Sequence, residues 1–129
     1  MRFKSKYHNK KTQSPDGTVF DSKKESRRWA ELWILQNAGK ISDLERQVKF
    51  VLIPAQYETT PRYGKNGKRL KDKVTCIERA AVYTADFVYT DENGDKVVED
   101  AKSQATRTEA YVLRRKLMYE RYKIKIKEV

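Results

Sequence analysis

Cysteine and histidine are nearly absent from this chain, and each shortage closes off a class of protein. A single cysteine, Cys76, excludes an intramolecular disulfide, and the one histidine, His8, lies too far from it in sequence to suggest a zinc site. Long apolar runs are missing as well. None approaches the ~18 residues that a membrane span needs, and the basic start MRFKSKYHNKK contains no apolar stretch of the kind that marks a signal peptide. There is no internal repeat and no low-complexity tract. The expectation is a protein of a reducing compartment, the cytoplasm, with no membrane partner.

The 129 residues suffice for one compact domain with a single core. The hydrophobic fraction of 38% is modest and the charged fraction of 36% high, yet Trp, Tyr, Ile, Leu and Val cluster in periodic segments, which separates the chain from disordered ones. The net charge is +11 and unevenly spread. Residues 1–28 hold nine Lys/Arg against three acids, 61–79 hold seven against two, and 107–129 hold eight against three. Residues 80–106 invert this, with six acids (Asp86, Asp91, Glu92, Asp95, Glu99, Asp100) against Lys96 and Lys102. A purely electrostatic binder of nucleic acid has no use for carboxylates at its centre. A nuclease needs cations to hold the phosphate backbone and carboxylates to hold the metal that attacks it. Asp91, Glu92 and Asp95 read as a solvated turn, which leaves Asp86, Glu99 and Asp100 to explain.

Local signals set out the order of elements. Residues 1–18 read as a mobile basic arm ending in the turn Ser14-Pro15-Asp16-Gly17. The remainder, 19–129, reads as one domain. Ser22-Lys23-Lys24-Glu25 fits a capping box, and Gly39 stands where a left-handed residue ends a helix. The stripe of that helix takes in Trp29, Leu32, Trp33 and either Leu35 or Gln36, with both tryptophans in the core. Gln47–Ile53 reads as a strand closed by Pro54, and the basic stretch 55–78 as an extended hairpin or a loop. Residues 79–90 are apolar on both faces, as a central strand is, and Asn93-Gly94 gives a type I′ hairpin leading to a return strand over 96–102. A second helix over about 108–122 takes Thr108 as its N-cap, with Ala110, Leu113 and Leu117 on one side. The terminal KIKIKEV alternates as an edge strand and, reached by a crossover, runs parallel to 96–102. The fold class is α/β: helix, three strands, helix, strand, around a mixed sheet flanked by helices.

Alternation along a strand puts Asp100 and Lys102 on one face and Glu99 and Ala101 on the other. Counted outward from the Asn93-Gly94 turn, Asp86 and Asp100 come close on adjacent strands. Two carboxylates and a backbone carbonyl, that of Ala101, are adequate protein ligation for Mg²⁺ or Mn²⁺, which keeps several waters. Lys102 then orients the attacking water or neutralises charge on the phosphate. The plain alternative is a cross-strand Asp–Lys ion pair. Glu25 lies on the inward stripe of the first helix, and either reaches back as a cap or joins the metal site. Tyr111, Tyr119 and Tyr122 read as packing rather than base-stacking residues, and Gln47 and Gln104 as ordinary ones, with contact to the site or a nucleotide as the alternative.

These residues, in this order, resemble the PD-(D/E)XK nuclease superfamily. The likeness is closer to a small phage- and prophage-encoded family within it, long catalogued as a domain of unknown function. It is carried by Tyr7-His8-Asn9-Lys10-Lys11, Phe20-Asp21-Ser22-Lys23-Lys24-Glu25, Gln47 to Pro54, Ala85-Asp86-Phe87-Val88-Tyr89 and Val98-Glu99-Asp100-Ala101-Lys102. The resemblance implies a restriction-endonuclease-like α-β-β-β-α-β core. By position it implies Asp86 and Asp100 as metal ligands, Lys102 as the catalytic lysine and Glu25 as the helical acid. Ala85 stands where the superfamily name has proline, and Glu99 ranks behind Asp100 because it would need a strand bulge to substitute.

The expected function is a Mg²⁺- or Mn²⁺-dependent DNA endonuclease, structure-selective in the manner of Holliday junction resolvases, acting as a homodimer in phage DNA processing in the host cell. DNA would be held by Lys10 and Lys11 of the arm, by Lys65, Lys68, Arg69 and Lys71, and by Arg114 and Arg115 of the second helix. The alternatives are a non-catalytic nucleic-acid-binding module, a restriction-like or flap nuclease, and a small assembly protein, which leaves the acidic cluster unexplained.

Overall fold

The computed structural model describes residues 12–13, 19–20, 22–102 and 106–129. Lys10, Lys11, His8, the turn at 14–17 and Gln104 lie outside these residues. The elements are β1 (Thr12–Gln13), β2 (Val19–Phe20), α1 (Lys23–Asn37), β3 (Ser42–Ile53), β4 (Gln56–Tyr63), β5 (Arg69–Glu78), β6 (Ala81–Thr90), β7 (Lys96–Asp100), α2 (Glu109–Tyr122) and β8 (Lys127–Glu128). The main sheet has the order β3-β6-β7-β8. Its first three strands run antiparallel, and β8 pairs parallel to β7. The fold is α/β, with a mixed sheet flanked by two helices, as the sequence predicts. The arm is not wholly separate from the domain, because Thr12–Gln13 pairs antiparallel with Val19–Phe20.

Helix α1 starts and stops where its signals place it. The Ser22 hydroxyl accepts the Glu25 amide at 3.1 Å. At the other end Gly39, at φ +75°, donates to Gln36 O while Lys40 donates to Leu35 O, the paired bonds that close a helix on a left-handed residue. The stripe is narrower than predicted. Leu32 is fully buried and Trp29 packs between Phe20 and Phe87, but Trp33 is 43% exposed and is not a core residue. Gln36 lies on the inward side and accepts the Leu44 amide, tying the helix to β3.

Helix α2 begins at its expected cap, where Thr108 accepts the Tyr111 amide. Its buried side is Tyr111 and Met118, whereas Ala110 and Leu113 face solvent. Tyr119 and Tyr122 are largely outside the core too. Leu117, Ile124 and Ile126 are half-buried against the same cluster, so the alternation of the C-terminal segment holds although only Lys127–Glu128 is strand. The turn between β6 and β7 is not type I′. Among its residues only Gly94 has positive φ, +82°, and the Asp91 side chain accepts the amides of Asn93 and Asp95 to shape it.

Strand β3 begins at Ser42, five residues before the predicted start, and the extra length carries the site. On β3, Leu44 packs toward α1 and the Arg46 guanidinium lies over the Phe20 ring, while Val48, Phe50 and Leu52 pack toward α2. On β6, Tyr83 and Ala85 face α2, but Phe87 and Tyr89 face α1. Simple alternation would keep each set on one face. Both strands therefore change faces together, between Arg46 and Val48 on one and between Ala85 and Phe87 on the other. Pairing is kept on either side (Arg46↔Phe87, Val48↔Ala85), so the change is not a bulge. It coincides with Gln47, whose φ is +52°. Gln47 and Asp86 are the residues at the crossover.

The stretch 55–78 is a hairpin: β4 and β5 form their own two-stranded sheet, exposed throughout. It projects from the strand ends that carry on from β3 and into β6.

The corrected face of α2 gives a test. Met118→Ala should cost about 2–4 kcal/mol of unfolding free energy by chemical denaturation, since Met118 is fully buried, and Leu113→Ala no more than about 0.5 kcal/mol.

Candidate active site

The site forms where the β6–β7 ladder ends. The last ladder pairs are Val88↔Val98 and Phe87↔Glu99, and beyond them the Asp86 carboxylate takes the place of a strand partner, accepting the Ala101 amide at 2.8 Å. This brings Asp86 and Asp100 within hydrogen-bonding reach of each other. Asp100 is 2% exposed. Burial, first, and then the neighbouring Asp86 push its carboxyl up to about 7, against the pull of Lys102 and of the Tyr83 hydroxyl. Tyr83 donates to Asp100 Oδ2 at 3.0 Å, and its own hydroxyl is pushed well above the usual phenol range by burial and by Asp100.

Lys102 completes the pair. Its Nζ lies 3.3 Å from Asp100 Oδ2 and 4.5 Å from the centre of the Tyr111 ring. The chain through this segment is held on both sides: Val129 N donates to Asp100 O, Val129 O accepts from Lys102 N, and Lys24 Nζ bonds Lys102 O at 2.5 Å. The last strand is held in turn by Glu128. Its carboxylate takes Arg107, Arg115 and Tyr111, and these bonds hold it below the usual carboxylate range although burial acts the other way.

Glu99 and Asp100 are neighbours with opposite fates. Glu99 is fully buried on the α1 side, where Arg28 binds it through Nε at 2.7 Å and Nη2 at 2.8 Å, the Tyr89 hydroxyl donates to it, and Lys127 Nζ lies 4.0 Å away. It is neutralised by a bidentate arginine. Asp100, on the other face, has a second carboxyl group beside it as well as Lys102.

Glu25 is 6% exposed. Its carboxylate is 3.5 Å from Arg46 Nη2 and accepts Gln47 Nε2 at 3.2 Å. The same Gln47 nitrogen is 3.4 Å from Asp86 Oδ1. The structure thus joins Glu25, Gln47, Asp86, Asp100 and Lys102 in one chain of contacts. Among the described residues no group of three or more His, Cys, Asp or Glu side chains is arranged to hold a metal ion. The two aspartates stand as a pair, with Glu25 one amide removed.

The donor set fits a small hard cation. Two carboxyl groups in contact repel unless a proton or a cation lies between them, and oxygen donors from two strands suit an ion that retains water. At Asp100 the pair borders a cleft of about 320 Å³ lined by Tyr83, Asp100, Lys102, Thr106, Thr108 and Arg114. An anionic substrate entering it meets a lysine, an arginine and the first turn of α2.

The other cations predicted to bind nucleic acid are dispersed. Lys65, Lys68, Arg69 and Lys71 lie exposed on the β4–β5 hairpin, with Arg69 paired to Asp72 at 2.9 Å. Arg115 is not free for a ligand: it is half-buried and bound to Glu128 at 2.6 Å. Sequence reasoning passed over Tyr83, Arg46 and Lys24, and ranked contact with the site second for Gln47. A polar residue at the start of the run QVKFVLI was the only mark of Gln47, and its contacts depend on a backbone angle that no residue type announces.

The fold and the site define an α/β protein with an acidic pair and a lysine at the end of its central strands. The chain belongs to the family described as Protein of unknown function (DUF1064), whose model matches residues 4–128. No curated protein and no solved structure matches it. Among the described residues no helix is long and apolar enough to cross a membrane.

The raised Asp100 carboxyl gives a prediction with a definite sign. The folded chain keeps that proton up to about pH 7, whereas the unfolded chain releases it near 3.8. Stability of the metal-free protein therefore falls as pH rises between those values. Asp100→Asn should remove this loss, raising the unfolding free energy at pH 8 by about 1–3 kcal/mol in EDTA while changing little at pH 4.

Proposed function

We propose that the protein is a metal-dependent phosphodiesterase acting as a DNA endonuclease. The observation that carries this reading is the Asp86–Asp100 pair, whose carboxyl groups interact beside Lys102, with Asp100 in a cleft that also holds Arg114. A structural ion pair needs one aspartate and one lysine, and does not account for a second carboxyl group placed where it raises the first.

In this reading Asp86, Asp100 and the Ala101 carbonyl hold Mg²⁺ or Mn²⁺. The ion, when bound, polarises a phosphate oxygen and lowers the pKa of a bound water. Tyr83 holds the Asp100 carboxylate in position. Lys102, confined between Asp100 and the Tyr111 ring, orients the attacking water or offsets charge on the phosphate. Arg114 and the first turn of α2 receive the phosphate in the cleft. The exposed hairpin cations engage the backbone farther along the strand. The likeness to PD-(D/E)XK nucleases supports the same assignment of Asp86, Asp100 and Lys102.

For the substrate we favour branched DNA, with a homodimer bringing two sites to two strands and a role in phage DNA processing in the host cytoplasm. That preference rests on analogy with small nucleases of the superfamily.

The test is cleavage of labelled duplex, single-stranded, flap and four-way-junction DNA with Mg²⁺, Mn²⁺ or EDTA. The expected result is metal-dependent cutting that Asp100→Asn abolishes and Lys102→Ala lowers by about 10²–10⁴-fold, with binding retained in both. Tight binding by the wild-type protein with no cutting of any substrate would make it a non-catalytic binding module.

A further inference from the structure

Gln47 holds a backbone conformation that nothing in its own packing rewards. It sits inside a twelve-residue strand at φ +52°, a region that glycine and asparagine enter readily and other residues rarely, and its side chain is exposed. Pairing with β6 is regular on both sides of it, so the angle does not absorb an extra residue. What the angle does is exchange the faces of β3 at that point and send the Gln47 amide between Glu25 Oε1, at 3.2 Å, and Asp86 Oδ1, at 3.4 Å. Asp43 near the start of β3 also has positive φ, +55°, but there the pairing register shifts; strained backbone kept at a regular rung, with its side chain joining two acids, is the pattern of strain retained for a site rather than for stability.

We propose that Gln47 is a positioning residue for the metal-binding pair, and that Glu25 acts through it rather than as a third ligand. This rests on the metal-site reading above and extends it to residues that the paired aspartates alone do not involve. The Gln47 Nε2 group donates toward Asp86 Oδ1, while the Ala101 amide holds Oδ2, so both oxygens of Asp86 are oriented before an ion arrives. Glu25 fixes the Gln47 amide by accepting from it and is itself paired with Arg46. A glutamate already engaged by an arginine and an amide serves better as the anchor of that amide than as a ligand. Groups that orient a ligand in this way typically affect metal affinity 10–100-fold.

The substitutions separate strain from positioning. Gln47→Gly removes the amide and relieves the strain together, because glycine takes φ near +52° freely. Gln47→Ala removes the amide and keeps the strain. Melting temperature and Mn²⁺ affinity by calorimetry are measured on full-length protein stripped of metal. The expected result is a Gly variant melting within about 3 °C of wild type and above the Ala variant, with Mn²⁺ dissociation constants raised about tenfold or more in both. Glu25→Gln should weaken Mn²⁺ binding by no more than Gln47→Gly does, and the double variant should be no worse than the worse single one. Unchanged Mn²⁺ affinity in the Gly variant would overturn the proposal. So would additive losses in the double variant, which would make Glu25 an independent ligand. A wild-type protein that binds no Mn²⁺ would instead overturn the metal-site reading itself, and this inference with it.

Discussion

Two carboxyl groups held against each other at the end of the β6–β7 ladder are the constraint around which the rest of the structure is arranged. Burial first, and then the neighbouring Asp86, disfavour charge on Asp100, which holds its proton to about neutral pH. The neighbours keep the pair together, and Lys102 and Tyr83 relieve it only in part. The Ala101 amide fixes Asp86, the Tyr83 hydroxyl fixes Asp100, and the Val129 backbone clamps the segment from Asp100 to Lys102. The adjacent Glu99 shows that the same strand neutralises a buried acid when structure alone is served, through the bidentate Arg28 on the opposite face.

Charge is divided in space as it is in sequence. The acids of the central segment lie on β6, on β7 and in the turn between them, and the densest exposed cations lie on the β4–β5 hairpin, which packs on no other part of the described chain to a comparable extent. A cleft holding Lys102 and Arg114 is lined by Asp100, one member of the acidic pair. For a polyanion the arrangement offers remote contacts that hold the backbone and one place where carboxylates come near a phosphate, which only an intervening cation makes favourable.

Much of this was legible in the sequence, and for physical reasons. Capping residues act locally, so Ser22, Gly39 and Thr108 set helix ends within a residue. The two-residue period of a strand put Asp100 and Glu99 on opposite faces, and counting from the turn brought Asp86 beside Asp100. Other features depend on tertiary context. The turn at Asn93-Gly94 takes its shape from the Asp91 side chain rather than from positive φ at Asn93. Trp33 is apolar and at helical spacing, yet it lies one step round from the narrow face that α1 buries. The side of α2 that packs is that of Tyr111 and Met118, because it follows the β3 residues Phe50 and Leu52 after the crossover at Gln47. That crossover, a single backbone angle in mid-strand, has no signature in residue type. It is also what brings Glu25, Gln47 and Asp86 together.

The central claim is that the aspartate pair is built to hold a divalent cation, and it is tested most directly by anomalous diffraction from crystals grown with Mn²⁺. The account predicts an anomalous peak between Asp86 and Asp100, about 2.2 Å from an oxygen of each. A map with no peak there at saturating Mn²⁺, and Lys102 still bound to Asp100 in its place, would contradict it.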